Sequence, residues 1–251
     1  MRIVLSFVAA LALGCGARTE LRGNPTPSSS GCSGVVLFGG YSAGAVLADT
    51  WCWDGTTWTA MTTSTAPTAR QDAVMANDGS ELVLYAGEGT PGPVFSDTWT
   101  LGASEWSQPS LASPPPPRVW AALASTGAGV VLFGGEGADS LQPTADTWVW
   151  SAGAWAAAKS AVSPPARSQH AMTRWKNGVL LFGGMGAGQA DLSDTWVWAD
   201  QWTQSSPFGA TPPARQQSAM ATLGDRAVLF GGYAFDPKNG TSFFGDTWTW
   251  D

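Results

Sequence analysis

The chain has 251 residues and a formal net charge of -7, with 12% charged and 44% hydrophobic residues. This composition can bury a large core and argues against a largely disordered chain. The acidic balance and the lack of a lysine or arginine cluster argue against a nucleic-acid partner, because binding a phosphate backbone requires clustered positive charge.

The first fourteen residues, 1–14, predict an export signal peptide. Arg2 provides a short positive segment, and Ile3 to Leu13 form an apolar run that only Ser6 interrupts. A run of this length is too short to span a bilayer as a helix, but it fits the apolar part of a signal peptide.

The end of this segment, Ala12-Leu13-Gly14-Cys15, resembles a bacterial lipobox. The resemblance implies that Cys15 is lipidated and becomes the N-terminus of an outer-membrane or cell-surface lipoprotein. In that motif a leucine usually stands three residues before the cysteine, where this chain has Ala12. The alternative is an ordinary cleavage that yields a soluble secreted protein. Both alternatives place the mature chain outside the cytoplasm.

Residues 15–34 comprise the lipidated cysteine and a small, polar segment rich in proline, serine and glycine, which is typical of a flexible tether. If Cys15 carries lipid, Cys32 and Cys52 remain. Cysteines of an exported chain can oxidise, and a bridge across a loop of this length stabilises by about 3 kcal/mol. We therefore predict a Cys32–Cys52 disulfide. The alternative is two free thiols, or Cys52 as an ordinary core residue of its strand.

From residue 35 onward the chain repeats one pattern five times. An apolar run ends in an aromatic residue followed by Gly-Gly or Ala-Gly, and Asp-Thr-Trp comes about ten residues later. The runs are Val35–Phe38, Leu82–Tyr85, Val130–Phe133, Val179–Phe182 and Ala227–Phe230. Their aromatic ends are 47 to 49 residues apart. A repeat of this length indicates stacked supersecondary units.

Each repeat contains four strand candidates. The apolar run is hydrophobic throughout, as in a strand buried on both faces. In Asp-Thr-Trp-x-Trp the tryptophans alternate with smaller residues, which indicates a second strand. A tight turn then leads to a third strand, which opens with a lone tryptophan: Trp58, Trp106, Trp155 and Trp202. A proline-rich connection ends in an arginine, and the next strand follows it, for example Ser168–Thr173.

Four strands, about 48 residues, a glycine pair and two tryptophans resemble the kelch repeat of β-propellers. The resemblance covers residues 35–251 and includes bacterial exported kelch-repeat proteins and the central domain of galactose oxidase. It implies an all-β, kelch-type propeller with five four-stranded blades around a central channel. By this pattern the first blade lacks its first strand and the fifth lacks its last. Either the tether supplies a weak closing strand, or these two blades are incomplete, or the chain is cut from a propeller of six or seven blades.

The repeated residues have structural interpretations. Thirteen of the 15 tryptophans belong to the repeat, and we expect them to pack between blades rather than to stack on carbohydrate. A charged residue that recurs in every blade normally serves the blade. We therefore expect the recurring arginines to pair with loop carbonyls or with aspartates at the blade edges. These arginines are Arg70, Arg118, Arg167 and Arg215.

The chain offers little for catalysis or for a cofactor. Propeller oxidases of the galactose oxidase type hold copper with two histidines and two tyrosines, whereas this chain has a single histidine, His170. It stands three residues after Arg167, where the kelch pattern often has histidine, so we interpret it as a structural hydrogen-bonding residue. The segment Gly40-Tyr41-Ser42-Ala43-Gly44 matches a nucleophile elbow, but a strand rather than a helix follows it. We predict no metal and no cofactor.

The loop after each glycine pair differs from blade to blade. These loops and the proline-rich connections are expected on one face of the propeller, and variable loops on rigid scaffolds carry function. Equivalent positions in successive blades form a ring. The predicted ligand-binding rim consists of the first residue after each glycine pair, with two residues deeper in the channel: Tyr41, Glu88, Glu136, Met185 and Tyr233, then Trp120 and Gln217.

These features favour a non-enzymatic binding module. We expect an exported, lipid-anchored monomer that binds a protein or a carbohydrate on the loop face. The alternative is a glycan-acting hydrolase or lyase that uses Glu88 and Glu136, which stand at equivalent positions of adjacent blades. Carboxyl groups about 5 to 9.5 Å apart across a cleft would fit that chemistry.

Overall fold

The computed structural model describes residues 32–138, 142–205 and 210–251. The export signal, Cys15 and the tether up to residue 31 lie outside the described residues. The described chain is built of strands and one short 3-10 turn, Ala187–Gln189. The strands form five antiparallel blades, so the predicted all-β propeller with five blades is confirmed.

The blades follow one another along the chain. Blade one contains β1 (Val35–Ser42), β2 (Ala45–Trp53) and β3 (Trp58–Met61). Blade two contains β4 (Val74–Asn77), β5 (Leu82–Tyr85), β6 (Thr98–Leu101) and β7 (Trp106–Ser107). Blade three contains β8 (Arg118–Val119), β9 (Ala122–Ser125), β10 (Val130–Phe133), β11 (Glu136–Gly137), β12 (Thr147–Ser151) and β13 (Ala154–Ala158). Blade four contains β14 (Arg167–Ser168), β15 (Ala171–Trp175), β16 (Gly178–Gly186), β17 (Asp191–Trp198) and β18 (Trp202–Ser205). Blade five contains β19 (Ala219–Leu223), β20 (Arg226–Phe230), β21 (Tyr233–Asp236), β22 (Gly240–Phe243) and β23 (Thr247–Trp250).

Blades two to four have the predicted four strands, and blades one and five are incomplete within the described residues, as one of the predicted alternatives has it. The main sheets of blades two to four have the orders β4-β5-β6-β7, β9-β10-β12-β13 and β15-β16-β17-β18. In the part of the chain that the structure describes, blade one has three strands, β1-β2-β3, without an inner strand. Blade five has β19-β20-β23 and no outer strand within the same residues. The extra hairpin β21–β22 of blade five was not predicted.

The start of the predicted strand Ser168–Thr173 is wrong, because the inner strand of blade four begins at Ala171. The structure divides it into β14, which ends at Ser168, and β15, which begins at Ala171. Gln169 lies between them with φ 56°, a left-handed conformation that no regular strand residue adopts. The chain therefore turns at Gln169 before it enters the inner strand of blade four.

Four apolar clusters join successive blades, and they use opposite faces of the apolar runs. In blade two, Leu84 packs in one cluster with Phe38 of blade one, whereas Tyr85 packs in another with Leu132 of blade three. The apolar runs alternate their faces in the same way where blade three packs on blade four and where blade four packs on blade five. We call the face towards the preceding blade the backward face and the face towards the following blade the forward face.

Among the described residues, no such cluster joins blade five to blade one. Leu37, on the backward face of blade one, is 37% exposed, whereas Leu84 at the equivalent position of blade two is fully buried. Val228, on the forward face of blade five, is half-buried, whereas its equivalent Val83 is fully buried. Within the described residues, these two faces are therefore more exposed than the equivalent faces of the inner blades.

The lone tryptophan of each outer strand packs against the preceding blade. Trp155 of blade three donates its indole N–H to Thr98 of blade two at 2.9 Å and stacks edge-on against Tyr85. Trp106 and Trp202 make the same bond to Thr50 and Thr147. The predicted packing between blades is confirmed for these three. Trp58 differs and is 47% exposed, because no blade among residues 32–138, 142–205 and 210–251 packs on its side of blade one.

In each of blades two to five, the recurring arginine pairs with the aspartate of Asp-Thr-Trp. Arg167 is fully buried and donates to both carboxylate oxygens of Asp194 at 2.7 Å. It also donates to the carbonyl oxygens of Pro165 and Gly183. Burial raises the pKa of the Asp194 carboxyl, but the hydrogen bonds and charge of Arg167 outweigh it, so the net pKa lies below the usual value. Blades two, three and five repeat this pair as Arg70–Asp97, Arg118–Asp146 and Arg215–Asp246.

The glycine pair lets the backbone of the next blade approach closely. Gly184 donates its N–H to the carbonyl oxygen of Arg215 at 2.9 Å. Gly183 has φ 63°, and a Cβ atom on it would stand 2.7 Å from that same oxygen. A side chain at Gly183 would require this backbone to move, which explains the preference for glycine here, although blade two has Ala86 at the equivalent position.

A disulfide joins Cys32 to Cys52, with Cα atoms 5.6 Å apart. It attaches the start of the described chain to β2 of blade one. No helix in the described ranges is both long and apolar enough to cross a membrane.

Candidate functional site

The rim positions lie beside the arginine-bearing segments. In each of blades two to five, the residue after the glycine pair forms an antiparallel backbone pair with the residue that follows the arginine. The pairs are Gln71–Glu88, Val119–Glu136, Ser168–Met185 and Gln216–Tyr233. In blade one Tyr41 pairs instead with Val46 of β2, and its side chain is 40% exposed. The repeat thus places two glutamates, a methionine and a tyrosine at one structural position in blades two to five.

The two rim glutamates are each held by a neighbouring side chain. Glu88 accepts a hydrogen bond from Nε2 of Gln71 at 2.8 Å. Glu136 accepts one from Oγ of Ser168, in blade four, at 2.7 Å and is only 3% exposed. Burial raises the pKa of the Glu136 carboxyl, and the hydrogen bond from Ser168 partly offsets this. Glu136 therefore connects blade three to blade four at the rim.

A carboxylate also links the loops of blades four and five. Asp191 accepts hydrogen bonds from Nε2 of Gln216 at 2.8 Å and from the backbone N–H of Phe235 at 2.6 Å. The Tyr233 hydroxyl donates to Oε1 of Gln216 at 3.3 Å. Met185, the remaining rim residue, is half-buried.

Four polar residues that hold the rim were not predicted from the sequence: Gln71, Ser168, Asp191 and Gln216. A signal was present for three of them, since each stands directly after a recurring arginine. Asp191 has no such marker.

Trp120 and Gln217 occupy the second position after their arginines, and both have a left-handed backbone with φ 54°. Asp72 and Gln169 share this position and conformation, with φ 55° and 56°. The backbone N–H of Gln169 donates to the carbonyl of Trp120, and that of Gln217 donates to the carbonyl of Gln169. Nε2 of Gln217 also donates to Oε1 of Gln169 at 2.6 Å. Gln169 therefore connects the two predicted channel residues.

An aromatic surface projects from blade five on the hairpin β21–β22. Tyr233 lies opposite Phe243, and Phe235 lies opposite Thr241, so the three aromatic side chains share one side of the hairpin. The rings of Tyr233 and Phe243 are 6.0 Å apart. Phe235 is 49% exposed and Phe243 is 72% exposed. We call Tyr233, Phe235 and Phe243 the aromatic hairpin face.

The described residues contain no group of three or more histidine, cysteine, aspartate or glutamate side chains arranged to hold a metal ion. His170 is 3% exposed and packs edge-on against Phe133, in the interface between blades three and four. The Asp236 carboxylate accepts hydrogen bonds from Lys238 and Asn239 within the turn of the hairpin.

The sequence model of the KLHDC2/KLHL20/DRC7 Kelch-repeats domain matches residues 100–251, which is more than half of the chain. The match covers blades three, four and five, with the rim from Glu136 onward and the aromatic hairpin face. A comparison with curated proteins finds no match.

Proposed function

The chain belongs to the kelch-repeat family, and from that premise we propose that it is a non-enzymatic binding module whose loop face takes a protein ligand. Kelch propellers commonly serve as protein-interaction modules. The observation that carries the proposal is the aromatic hairpin face, with Phe243 72% exposed.

Exposed aromatic side chains grouped on one surface are typical of interaction sites. Scattered exposed apolar residues need no explanation, but clustered ones mark sites where a partner excludes water. Aromatic residues are also enriched at the centres of protein interfaces, where they contribute most of the binding energy. The hairpin holds its three rings on a paired backbone, so little conformational freedom is lost on binding. A carbohydrate that stacks on these rings is the other ligand class, and the test below separates the two.

A glycan-acting hydrolase or lyase is the second candidate, and one observation favours it. Glu136 is buried and its pKa is raised, which is the property that a general acid needs. Against it, Glu88 and Glu136 each accept a hydrogen bond from a neighbouring side chain, which fits a structural role. Release of sugar from envelope glycans that is lost in Glu136→Gln, with binding unchanged, would favour the enzyme.

We place the protein outside the cytoplasm, held at the outer membrane or cell surface through lipid on Cys15. The apolar segment before Cys15 and the tether after it support this location. The Cys32–Cys52 disulfide is consistent with it, since disulfides persist in oxidising compartments.

We expect the double variant Phe235→Ala, Phe243→Ala to lose partner binding. Truncating aromatic side chains at the centre of an interface costs about 2 kcal/mol or more, which is at least tenfold in affinity. Both side chains are exposed in the free protein, so its melting temperature should stay within a few degrees. The measurement is capture of extracted envelope proteins by the immobilised chain, followed by titration of each identified partner.

The matched control is Val162→Ala, because Val162 is an apolar residue of comparable exposure, 57%, in the connection between blades three and four. It should leave binding unchanged. A glycan array probed with the same variants assigns the ligand class. If a verified partner binds the double variant as tightly as the unaltered chain, the aromatic hairpin face is not the binding surface.

Cys15→Ser is expected to move the protein from the membrane to the soluble envelope fraction, because the thiol that would carry the lipid is removed. Fractionation followed by immunoblotting measures the change. Globomycin, which blocks maturation of lipoproteins, should alter the processing of the unaltered chain but not that of the variant. Identical fractionation under all these conditions would show that Cys15 carries no anchor.

A further inference from the structure

We propose that the aromatic hairpin face, together with the carboxylate of Asp191, binds an arginine side chain that the protein ligand presents. The inference rests on the proposed function, because it names the chemistry of the partner at that same surface. Two observations carry it: a carboxylate without an ion pair beside exposed rings, and two places where this chain already binds a guanidinium in the same way.

The Asp191 carboxylate lies at the edge of the hairpin. One of its oxygens accepts the backbone N–H of Phe235, and the other accepts Nε2 of Gln216. Oε1 of Gln216 in turn accepts the hydroxyl of Tyr233. Burial raises the pKa of the Tyr233 hydroxyl, and the negative charge of Asp191 raises it further, so this charge acts at the ring. Because a carboxylate oxygen can accept two hydrogen bonds, each oxygen of Asp191 retains the capacity to accept a ligand donor.

The surroundings of the aromatic hairpin face carry a net negative charge. Asp191 and Asp236 have no ion pair within the part of the chain that the structure describes, and Lys238 in the turn of the hairpin offsets only one of them. The recurring arginines do not compensate these carboxylates, since each is paired with the aspartate of its own blade. The whole chain is acidic as well, with a formal net charge of -7. Charge complementarity therefore favours a cationic group on the partner.

The chain itself twice packs a guanidinium on a phenylalanine ring and pairs it with an aspartate. The guanidinium carbon of Arg215 lies 4.0 Å from the centre of the Phe244 ring, and its nitrogens bond to both carboxylate oxygens of Asp246. In blade two the same three groups are Arg70, Phe95 and Asp97. The aromatic hairpin face presents rings and a carboxylate of these kinds at the surface, where a guanidinium from another chain can reach them.

Arginine fits this surface better than lysine. Its planar guanidinium stacks on aromatic rings and is more weakly hydrated than the compact ammonium group of lysine. Its N–H donors form a fixed fork, which matches a carboxylate with one acceptor position left on each oxygen. We therefore expect the partner to contact the hairpin through an exposed segment that contains arginine.

Selection from a phage-displayed library of random linear peptides identifies what the face binds. The unaltered chain is the bait, and the double variant Phe235→Ala, Phe243→Ala removes peptides that bind elsewhere. We expect the remaining peptides to be enriched in arginine, both over the unselected library and over lysine.

A double-mutant cycle then tests the charge contact with Asp191. A selected peptide is compared with a copy in which citrulline, the neutral analogue, replaces the arginine. On the unaltered chain the citrulline peptide should bind at least about tenfold more weakly. On the Asp191→Asn variant the two peptides should differ by only about threefold or less, because the carboxylate partner is removed. A substitution that merely loosened the hairpin would weaken both peptides by the same factor.

Removing the lysine of the hairpin should act in the opposite direction. Lys238→Gln deletes a positive charge but keeps the backbone N–H that Asp236 accepts. At low ionic strength the arginine peptide should bind about twofold more tightly to this variant, and the citrulline peptide should bind unchanged. The matched control is Lys159→Gln, the same substitution at an exposed lysine in the connection between blades three and four, which should change neither affinity.

Three outcomes would overturn the proposal. The selected peptides could require the aromatic hairpin face and yet show no enrichment in arginine. The citrulline peptide could lose the same factor as the arginine peptide when Asp191 is replaced. The library could yield no peptide that requires the face. The proposed function fails on a different result, namely that verified envelope partners bind the double variant as tightly as the unaltered chain.

Discussion

Arg167→Ala is expected to lower the free energy of unfolding by about 3–5 kcal/mol, because it leaves a partly buried carboxylate without its partner. Arg167 is fully buried and donates to Asp194, Pro165 and Gly183, so its removal also leaves carbonyl oxygens without a donor. In a domain of this size that loss corresponds to a fall in melting temperature of roughly 6–20 °C. Differential scanning calorimetry measures it.

The matched control is Arg226→Ala, which removes an arginine–aspartate pair that is exposed to solvent. Arg226 bonds to Asp251 at 2.8 Å, but its side chain is 57% exposed. Exposed pairs contribute only about 0–1 kcal/mol, so the melting temperature should change by a few degrees at most. Equal effects of the two substitutions would show that the buried pairs do not stabilise the blades.

The pH dependence distinguishes loss of the pair from simple loss of packing. The pKa of Asp194 is lowered in the folded chain, so its stabilising effect is complete above the unfolded value of about 4 and is lost as the pH falls through the folded value. Without Arg167, the two largest causes that lower the pKa of Asp194 are removed, so most of this contribution is lost. The difference in stability between Arg167→Ala and the unaltered chain should therefore shrink as the pH falls below about 4.

Trp155→Ala is expected to cost about 3–5 kcal/mol, because it removes a large ring from the interface between blades two and three. The ring is 7% exposed, lies edge-on to Tyr85 at 5.4 Å, and bonds to Thr98. Alanine would leave a cavity and a buried hydroxyl without its donor. Thermal and urea unfolding should both report the loss.

Trp58→Ala is the matched control, because Trp58 opens the outer strand of blade one as Trp155 opens that of blade three. Trp58 is 47% exposed, so the cost should stay below about 1 kcal/mol. If both tryptophans cost the same, contact with the preceding blade is not what makes Trp155 stabilising.

The sequence by itself determined the repeating elements. Strict alternation in Asp-Thr-Trp-x-Trp indicates a strand, and the recurring glycines indicate a close approach of neighbouring backbone, which Gly183 makes to the arginine carbonyl of the next blade. Pairing of the recurring arginines with loop carbonyls or with aspartates at the blade edges was also expected, and Arg167 bonds to both kinds of group. These are local requirements that each repeat satisfies in the same way, and five copies make them visible.

Only the tertiary structure decided what differs between equivalent positions. Trp58 and Trp155 stand at one position of the repeat, yet one is exposed and the other buried, because burial depends on the neighbouring blade. Glu136 is buried because Ser168 of the next blade reaches it, a contact between residues far apart in the chain. The aromatic hairpin face arises from the pairing of Tyr233 with Phe243. This pairing lies in the segment between the glycine pair and Asp-Thr-Trp, which is longer in blade five than in the other blades. Such contacts depend on which segments meet in space, and the repeat pattern carries no information about that.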